Sequence, residues 1–156
     1  MDSRLAYLRL VATNGIGAIS AKKLLTHFGN ILALFEAGAN AVAETSVIPL
    51  SKVEELFSKE NLKTAEDTLL FCQKNSIQIL VFEDTRYPPL LKEIDSPPPV
   101  LFVKGDTSVL STPQIAIVGT RKPTRYGMRV AEEFAYNLSA LGLVVTSGLA
   151  LGTDTA

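Results

Sequence analysis

The sequence lacks the residues on which metal and thiol chemistry usually depend. Its 156 residues contain one cysteine, Cys72, and one histidine, His27. A single cysteine cannot form a disulfide within the chain, and a single histidine cannot supply a histidine-rich metal site or a two-histidine proton relay. We therefore expect neither a metal site nor thiol catalysis, and we interpret Cys72 as a small apolar core residue.

Long hydrophobic runs are also absent. The most apolar stretch near the start, residues 31–43, is interrupted by Glu36 and Asn40 and is too short to span a bilayer. The first residues lead straight into amphipathic sequence, without the long apolar segment of a signal peptide. We therefore expect a cytoplasmic protein. Because 47% of the residues are hydrophobic and 20% are charged, we also expect a folded core.

Two kinds of periodicity divide the chain. Apolar residues recur at helical spacing over residues 4–72, which predicts several short helices. From Ile77 onward, short β-branched and aromatic runs bounded by turn residues predict strands instead. We therefore expect a helical domain at residues 1–75 and a second domain at residues 76–156.

The second domain contains the pattern of a βαβ unit. Residues 115–118 are apolar on both faces, as a buried parallel strand requires, and residues 143–146 repeat this pattern. Between them lies a helix with Gly142 as its C-terminal cap. Its predicted apolar stripe comprises Val130, Phe134, Leu138 and Leu141. The unit predicts an α/β fold with a right-handed crossover.

Only the first part of a doubly wound sheet is predicted from these residues. Two buried parallel strands are fewer than such a sheet normally contains. Thr153 or Asp154 has the character of the N-cap of a further helix. We therefore expect the second domain to be incomplete at its C-terminal end.

Charge is balanced overall but not locally. Fifteen lysines and arginines stand against sixteen acidic residues, for a net charge of -1. Residues 107–131 nevertheless contain four basic side chains and no acidic one, and these are Arg121, Lys122, Arg125 and Arg129. A basic patch of this kind favours an anionic ligand even in a nearly neutral protein.

The segment 119–127 is the first candidate site, because it joins the first parallel strand to its helix. Open α/β sheets bind ligands at this end of their strands, and helix N-termini attract anions through unpaired N–H groups. With Arg121, Lys122 and Arg125 added, the segment predicts a phosphate site. The alternative is that Gly119 only permits a tight turn while the basic side chains solvate a surface loop.

The segment 147–154 follows the second strand and could share the same phosphate chain. Its glycines, Gly148 and Gly152, would let backbone amides approach a ligand. Alternatively, they only allow a bend and close packing, while Asp154 caps a helix.

The chain contains neither G-x-G-x-x-G nor G-x-x-x-x-G-K-[ST], so we predict no cofactor, no catalytic residue and no enzyme activity.

Three motifs in chain order resemble the DprA/Smf (DNA-processing protein A) family. The motifs are Tyr87-Pro88 with Leu91, Ile94, Pro97-Pro98, Leu101 and Gly105; Gly119-Thr120-Arg121 with Thr124, Tyr126 and Gly127; and Ser147-Gly148-Leu149-Ala150 with Gly152 and Asp154. Two features depart from the family pattern. Thr120 replaces the commoner serine, and Leu151 and Thr153 stand where many members have arginine and isoleucine.

The resemblance implies a function as well as a fold. It implies a SAM-like helical domain followed by a Rossmann-like domain, and a protein that binds single-stranded DNA in natural transformation and recombination. It further implies protection of incoming DNA, delivery of the RecA recombinase, a homodimer and no catalysis. The expected DNA-binding residues are Gly119, Thr120, Arg121, Lys122, Arg125, Ser147, Gly148, Leu149, Ala150 and Gly152, with Arg121 implied as a phosphate ligand.

Two alternatives stay open at this point. The joint Asn14-Gly15-Ile16-Gly17 resembles a helix-hairpin-helix that could hold a DNA phosphate with Lys22 and Lys23 nearby, although we favour a structural or partner-binding role. The chain could also be a fragment of a LOG-type nucleotide phosphoribohydrolase, which shares a related Rossmann-like core.

Overall fold

The computed structural model describes residues 2–156, which form two compact units. The division between the units falls after Thr107. It does not coincide with the domain boundary that we expect at residues 75/76. The reason lies in the first pair of strands, which packs with the helices that precede it.

Five helices make up most of the first unit, in agreement with the predicted periodicity. They are α1 (Ser3–Ala12), α2 (Ala18–Phe28), α3 (Ile31–Glu44), α4 (Leu50–Phe57) and α5 (Lys59–Lys74). Side-chain caps explain several starts: Asn30 Oδ1 accepts from the Ala33 N–H at 2.9 Å, and Ser58 Oγ accepts from the Asn61 N–H at 3.0 Å. Among residues 2–156, no helix combines the length and apolarity needed to cross a membrane.

The strands β1 (Ile77–Val81) and β2 (Val100–Lys104) form an antiparallel pair in the same unit. The short helix α6 (Pro89–Lys92) lies between them in the chain. Apolar residues of both strands, Ile79, Val81 and Val100, are buried in one core with the five helices. This shared core explains why the pair belongs to the helical unit rather than to the parallel sheet.

The second unit is a single βαβ arrangement. It consists of β3 (Gln114–Ala116), α7 (Arg125–Ala140) and β4 (Val144–Thr146), and the two strands are parallel. Gly142 has a φ of +85°, and its N–H donates to the Ser139 carbonyl at 2.9 Å while the Leu143 N–H donates to the Leu138 carbonyl at 3.2 Å. These two bonds form a Schellman motif, so the predicted cap at Gly142 is confirmed.

Burial in this unit differs from the expectation. The strand β3 ends at Ala116, and Val118, predicted to lie in a buried strand, is 69% exposed. On α7 the buried residue is Ala131, whereas Phe134 and Leu141 of the predicted stripe are 60% and 78% exposed. The physical reason is that the parallel sheet has only two short strands among the described residues. It is too small to bury the whole apolar face of α7.

A buried polar network holds the first unit together. The guanidinium of Arg9 donates from Nη2 to the Leu56 carbonyl at 2.8 Å and from Nε to Asn61 Oδ1 at 3.3 Å. Asn61 Nδ2 in turn donates to the Arg9 carbonyl and to Thr13 Oγ1, both at 3.1 Å. The Arg9 guanidinium also lies 4.7 Å from the centre of the Phe35 ring. Burial lowers the pKa of Arg9, and these contacts compensate for the desolvation of its charge.

We predict that Asn61→Ala destabilises the first unit by about 3 kcal/mol, because three buried hydrogen bonds are lost around a desolvated cation. The matched control is Asn137→Ala, which removes an exposed bond to the Glu133 carbonyl and is expected to cost less than about 0.5 kcal/mol. Urea denaturation followed by circular dichroism measures both changes. Equal losses for the two variants would contradict the prediction.

Candidate functional site

The two predicted loops lie side by side at the carboxyl ends of the parallel strands. We call residues 117–124 the first loop and residues 147–153 the second loop. The Ile117 N–H donates to the Thr146 carbonyl at 3.0 Å, and Ser147 Oγ donates to the Ile117 carbonyl at 2.9 Å. The structure therefore brings together the two segments that the sequence indicates as neighbours.

Two glycines allow the loops to approach each other very closely. A Cβ atom on Gly119 would lie 2.6 Å from Thr153 Oγ1, and one on Gly152 would lie 2.5 Å from the Thr120 carbonyl oxygen. Gly152 also has a φ of +103°, which other residues rarely adopt. The Thr120 carbonyl accepts from both the N–H and the Oγ1 of Thr153, at 3.1 and 3.2 Å. Gly119 and Gly152 therefore allow the first loop to pack closely against the second loop.

Asp154, a residue of the third motif, also belongs to the site through a contact with the first loop that the sequence does not predict. Its Oδ1 accepts from the Gly119 N–H at 3.2 Å, and its Oδ2 lies 3.0 Å from the position of a Cβ on Gly148. Residues Thr153–Thr155 form a short 3₁₀ turn without a side-chain cap, and the expected N-cap role in a further helix stays a prediction. The sequence of the first loop contains no acidic residue. The fold nevertheless places the carboxylate of Asp154 at Gly119, the first glycine of that loop.

Basic side chains dominate the outer part of the first loop. Thr124 caps α7, with Oγ1 accepting from the Gly127 N–H at 3.1 Å, and the Lys122 N–H donates to Thr120 Oγ1 at 3.2 Å. The side chains of Arg121, Lys122 and Arg125 are exposed, and none of them is ion-paired with a carboxylate in residues 2–156. Positive charge at the N-terminus of α7 is thus available to an external anion.

The second loop contributes apolar surface beside these cations. Leu149 has a φ of +53° and is 81% exposed, and a left-handed conformation at leucine costs on the order of 1–2 kcal/mol. Leu151 is 80% exposed, while Ala150 is half-buried. A ligand with anionic groups and apolar faces therefore meets complementary surface across the two loops.

The joint at residues 14–17 has a different environment. The Asn14 N–H donates to Glu55 Oε1 at 2.9 Å, and the Ile16 N–H donates to the Thr13 carbonyl at 3.2 Å. The pKa of Glu55 is lowered by its hydrogen bond with Lys52 and by the Asn14 N–H. Because a protein carboxylate already binds this joint, the arrangement fits the structural interpretation better than a phosphate site.

The comparison with known families gives the decisive observation. A family model described as "DNA recombination-mediator protein A" matches residues 78–156, which include both loops and the segment leading into them. The chain belongs to this family. The resemblance predicted from the three motifs is thereby confirmed.

Members of this DNA-processing family are similar along most of the chain. "Protein Smf" of Synechocystis is 33% identical over 144 residues, which are 90% of this chain and 36% of that protein. "DNA processing protein DprA" of Bacillus subtilis is 42% identical over 83 residues, 53% of this chain and 28% of that protein. The chain thus spans about a third of the length of these relatives.

A solved structure of a family member has the same fold. The X-ray structure of DNA processing protein A from Streptococcus pneumoniae matches 96% of this chain and 51% of its own, with a TM-score of 0.72 and 26% identity. The predicted fold class, a helical part followed by the first part of a Rossmann-like α/β sheet, is confirmed by this match. Within residues 2–156, no group of three metal-binding side chains lies close together.

We predict that Gly152→Ala disrupts the contact between the loops, because its Cβ would overlap the first-loop backbone at a positive φ. Hydrogen exchange of the Thr153 amide, which donates to the Thr120 carbonyl, should become at least about tenfold faster, as expected for a loss above about 1.4 kcal/mol. Gly127→Ala is the control, since its Cβ meets only ordinary contacts at 3.5 Å or more. Unchanged exchange in Gly152→Ala would contradict the packing role.

Proposed function

We propose that this chain binds single-stranded DNA through its phosphates, as part of DNA processing in transformation and recombination. The observation that supports this most strongly is the basic first loop at the end of β3, whose cations have no ion-pair partner among residues 2–156. Phosphate contacts position a strand without reading its bases. The proposed binding is therefore largely independent of DNA sequence.

Roles can be assigned to individual residues of the two loops. Arg121, Lys122 and Arg125 contact phosphates, together with main-chain amides of the first loop and of Ser147, Gly148, Leu149 and Ala150 in the second loop. Thr120, Gly119 and Gly152 act by holding the loops in place, since their contacts are within the protein. Asp154 occupies the Gly119 amide, so the phosphates bind on the α7 side of the loop.

The wider activities belong to the complete protein and rest on family membership. We propose that the complete protein protects incoming DNA, delivers the RecA recombinase to it, forms a homodimer and acts in the cytoplasm without catalysis. Support comes from the family match and from relatives whose names refer to DNA processing.

The phosphoribohydrolase alternative is tested by product release. We predict that the chain releases no adenine from AMP, because the hydroxyls of Ser147 and Thr153 donate to main-chain carbonyls rather than to the carboxylate of Asp154, so no nucleophile and base are in contact. Incubation with AMP followed by chromatography of free adenine measures this. Adenine release that is lost in Arg121→Ala would favour the alternative over DNA binding.

We predict that Arg121→Ala weakens binding of the 156-residue chain to single-stranded DNA of any sequence. Each phosphate contact adds roughly 0.7 to the slope of log affinity against log salt for single strands. The variant should therefore bind more weakly and show a slope smaller by about that amount, measured by fluorescence anisotropy with labelled oligothymidine at several salt concentrations.

Lys63→Ala is the charge-matched control, because Lys63 is an exposed residue of α5 in the other unit. It should leave both affinity and slope unchanged. If the two variants behave alike, Arg121 acts only through net charge and the proposed phosphate contact is wrong.

A further inference from the structure

A cavity in the first unit carries positive charge and lies apart from the residues of the two loops. Its volume is about 260 Å³, close to the lower end of the range for small-molecule sites. Residues of α1, α5, β1 and the turn after β1 line it. They include two arginines, Arg4 and Arg86, and no acidic residue. A cavity lined by charge of one sign favours a ligand of the opposite sign, here an anion.

Arg4 is the cation of this cavity that lacks a partner. It is exposed in the first turn of α1, and its guanidinium forms neither a hydrogen bond nor a salt bridge within residues 2–156. The positive end of the helix dipole lies at the same end of α1, so a cation at this position is unfavourable for the helix. The nearby Asp2 carboxylate caps the helix by accepting from the Arg4 N–H at 3.4 Å. An anion bound at the Arg4 guanidinium would offset the unfavourable charge.

Arg86 is held beside the cavity by its own hydrogen bonds. Its Nε and Nη2 donate to the two carboxylate oxygens of Asp84 at 3.1 and 2.8 Å, and its Nη1 donates to Gln78 Oε1 at 2.9 Å. A guanidinium has five N–H groups, so two of them remain for a ligand. The Asp84 carboxylate accepts from the Arg86 main-chain N–H as well, at 3.0 Å, and Asp84 does not line the cavity.

The two arginines lie near one carboxylate. The pKa of Asp84 is lowered chiefly by its hydrogen bond with the Arg86 side chain, and the charge of Arg4 lowers it further. Both guanidinium groups are therefore close enough to Asp84 to act on it, although only Arg86 forms a salt bridge with it. A small anion in the cavity can meet both cations.

The other polar groups of the cavity do not repel an anion. Gln73 is exposed, and its side-chain amide has no hydrogen-bond partner in residues 2–156. The amide can therefore donate to a ligand. Cys72 is buried, and burial raises the pKa of its thiol. The sulfur therefore stays protonated and uncharged at neutral pH.

We propose that this cavity binds a phosphate group. A phosphate monoester carries between one and two negative charges on three oxygens, and guanidinium groups pair with such oxygens through parallel N–H bonds. Arg4 supplies an unoccupied guanidinium, Arg86 supplies its two remaining N–H groups, and Gln73 supplies an amide. The phosphate belongs either to a free phosphate compound or to the end of a DNA strand. The second source rests on the proposed function.

The test is a titration of the 156-residue chain with sodium phosphate at neutral pH, followed by backbone amide NMR. Sodium chloride at equal ionic strength serves as the blank. We expect saturable shifts of the amides of Gln73, Ile77 and Arg86 at millimolar phosphate. Absence of these shifts, or shifts that chloride reproduces, would overturn the proposal.

Three variants separate a specific site from a general effect of charge. Arg4→Gln should weaken phosphate binding at least about fivefold. Lys23→Gln is the charge-matched control, because Lys23 is an exposed residue of α2 that does not line this cavity, and it should change the affinity less than about 1.5-fold. Asp84→Asn removes the carboxylate that competes for Arg86 and should tighten binding roughly two- to threefold. Equal losses in Arg4→Gln and Lys23→Gln, or weaker binding by Asp84→Asn, would overturn the proposal.

An oligonucleotide arm identifies the source of the phosphate and keeps this inference distinct from the proposed function. Oligothymidine is compared with and without a phosphate on its 5′ end. Cavity shifts with the phosphorylated strand alone identify a strand end as the ligand, whereas cavity shifts with inorganic phosphate but with neither strand identify a free phosphate compound. Shifts at residues 119–122 with both strands support the proposed function even where the cavity stays silent with inorganic phosphate, and that silence would overturn only the cavity site.

Discussion

The approach of the two loops at Gly152 is the constraint on which the candidate site depends. The Thr120 carbonyl and the Thr153 side chain occupy the space that Cβ atoms at positions 152 and 119 would need. This close packing fixes the backbone of the first loop against the second loop, while the basic side chains of the first loop stay exposed to solvent. A backbone that is already ordered would lower the entropic cost of the phosphate contacts that we propose for these cations.

Much of the fold follows from local patterns in the sequence. Helical spacing over residues 4–72, the strand-forming runs after Ile77 and the glycine cap at Gly142 all depend on interactions within a few residues, so a single sequence predicts them. The placement of two loops at one sheet edge was also predictable, because parallel strands joined by a helix bring their carboxyl ends together. The family resemblance rests on motifs in these same segments.

The remaining features depend on contacts between distant residues. Asp154 reaches the Gly119 amide, 35 positions away in the chain, and no local pattern in the sequence indicates that contact. The burial of Ala131 in place of Phe134 depends on which side of α7 the strands cover. The full burial of Tyr7 is likewise not predictable from local sequence, because the residues near it come from segments as far apart as α2 and the prolines before β2. Such arrangements become visible only in three dimensions.

The bond between Arg9 and Asn61 has a consequence for how the protein is made. The two residues are separated by 52 positions, so α1 cannot bury its arginine against Asn61 until the start of α5 has followed it from the ribosome. Translation of that interval takes several seconds at roughly 5–20 residues per second. During this time Arg9 lacks its Asn61 partner, so the buried polar network of the helical unit forms only after the start of α5 has been synthesised.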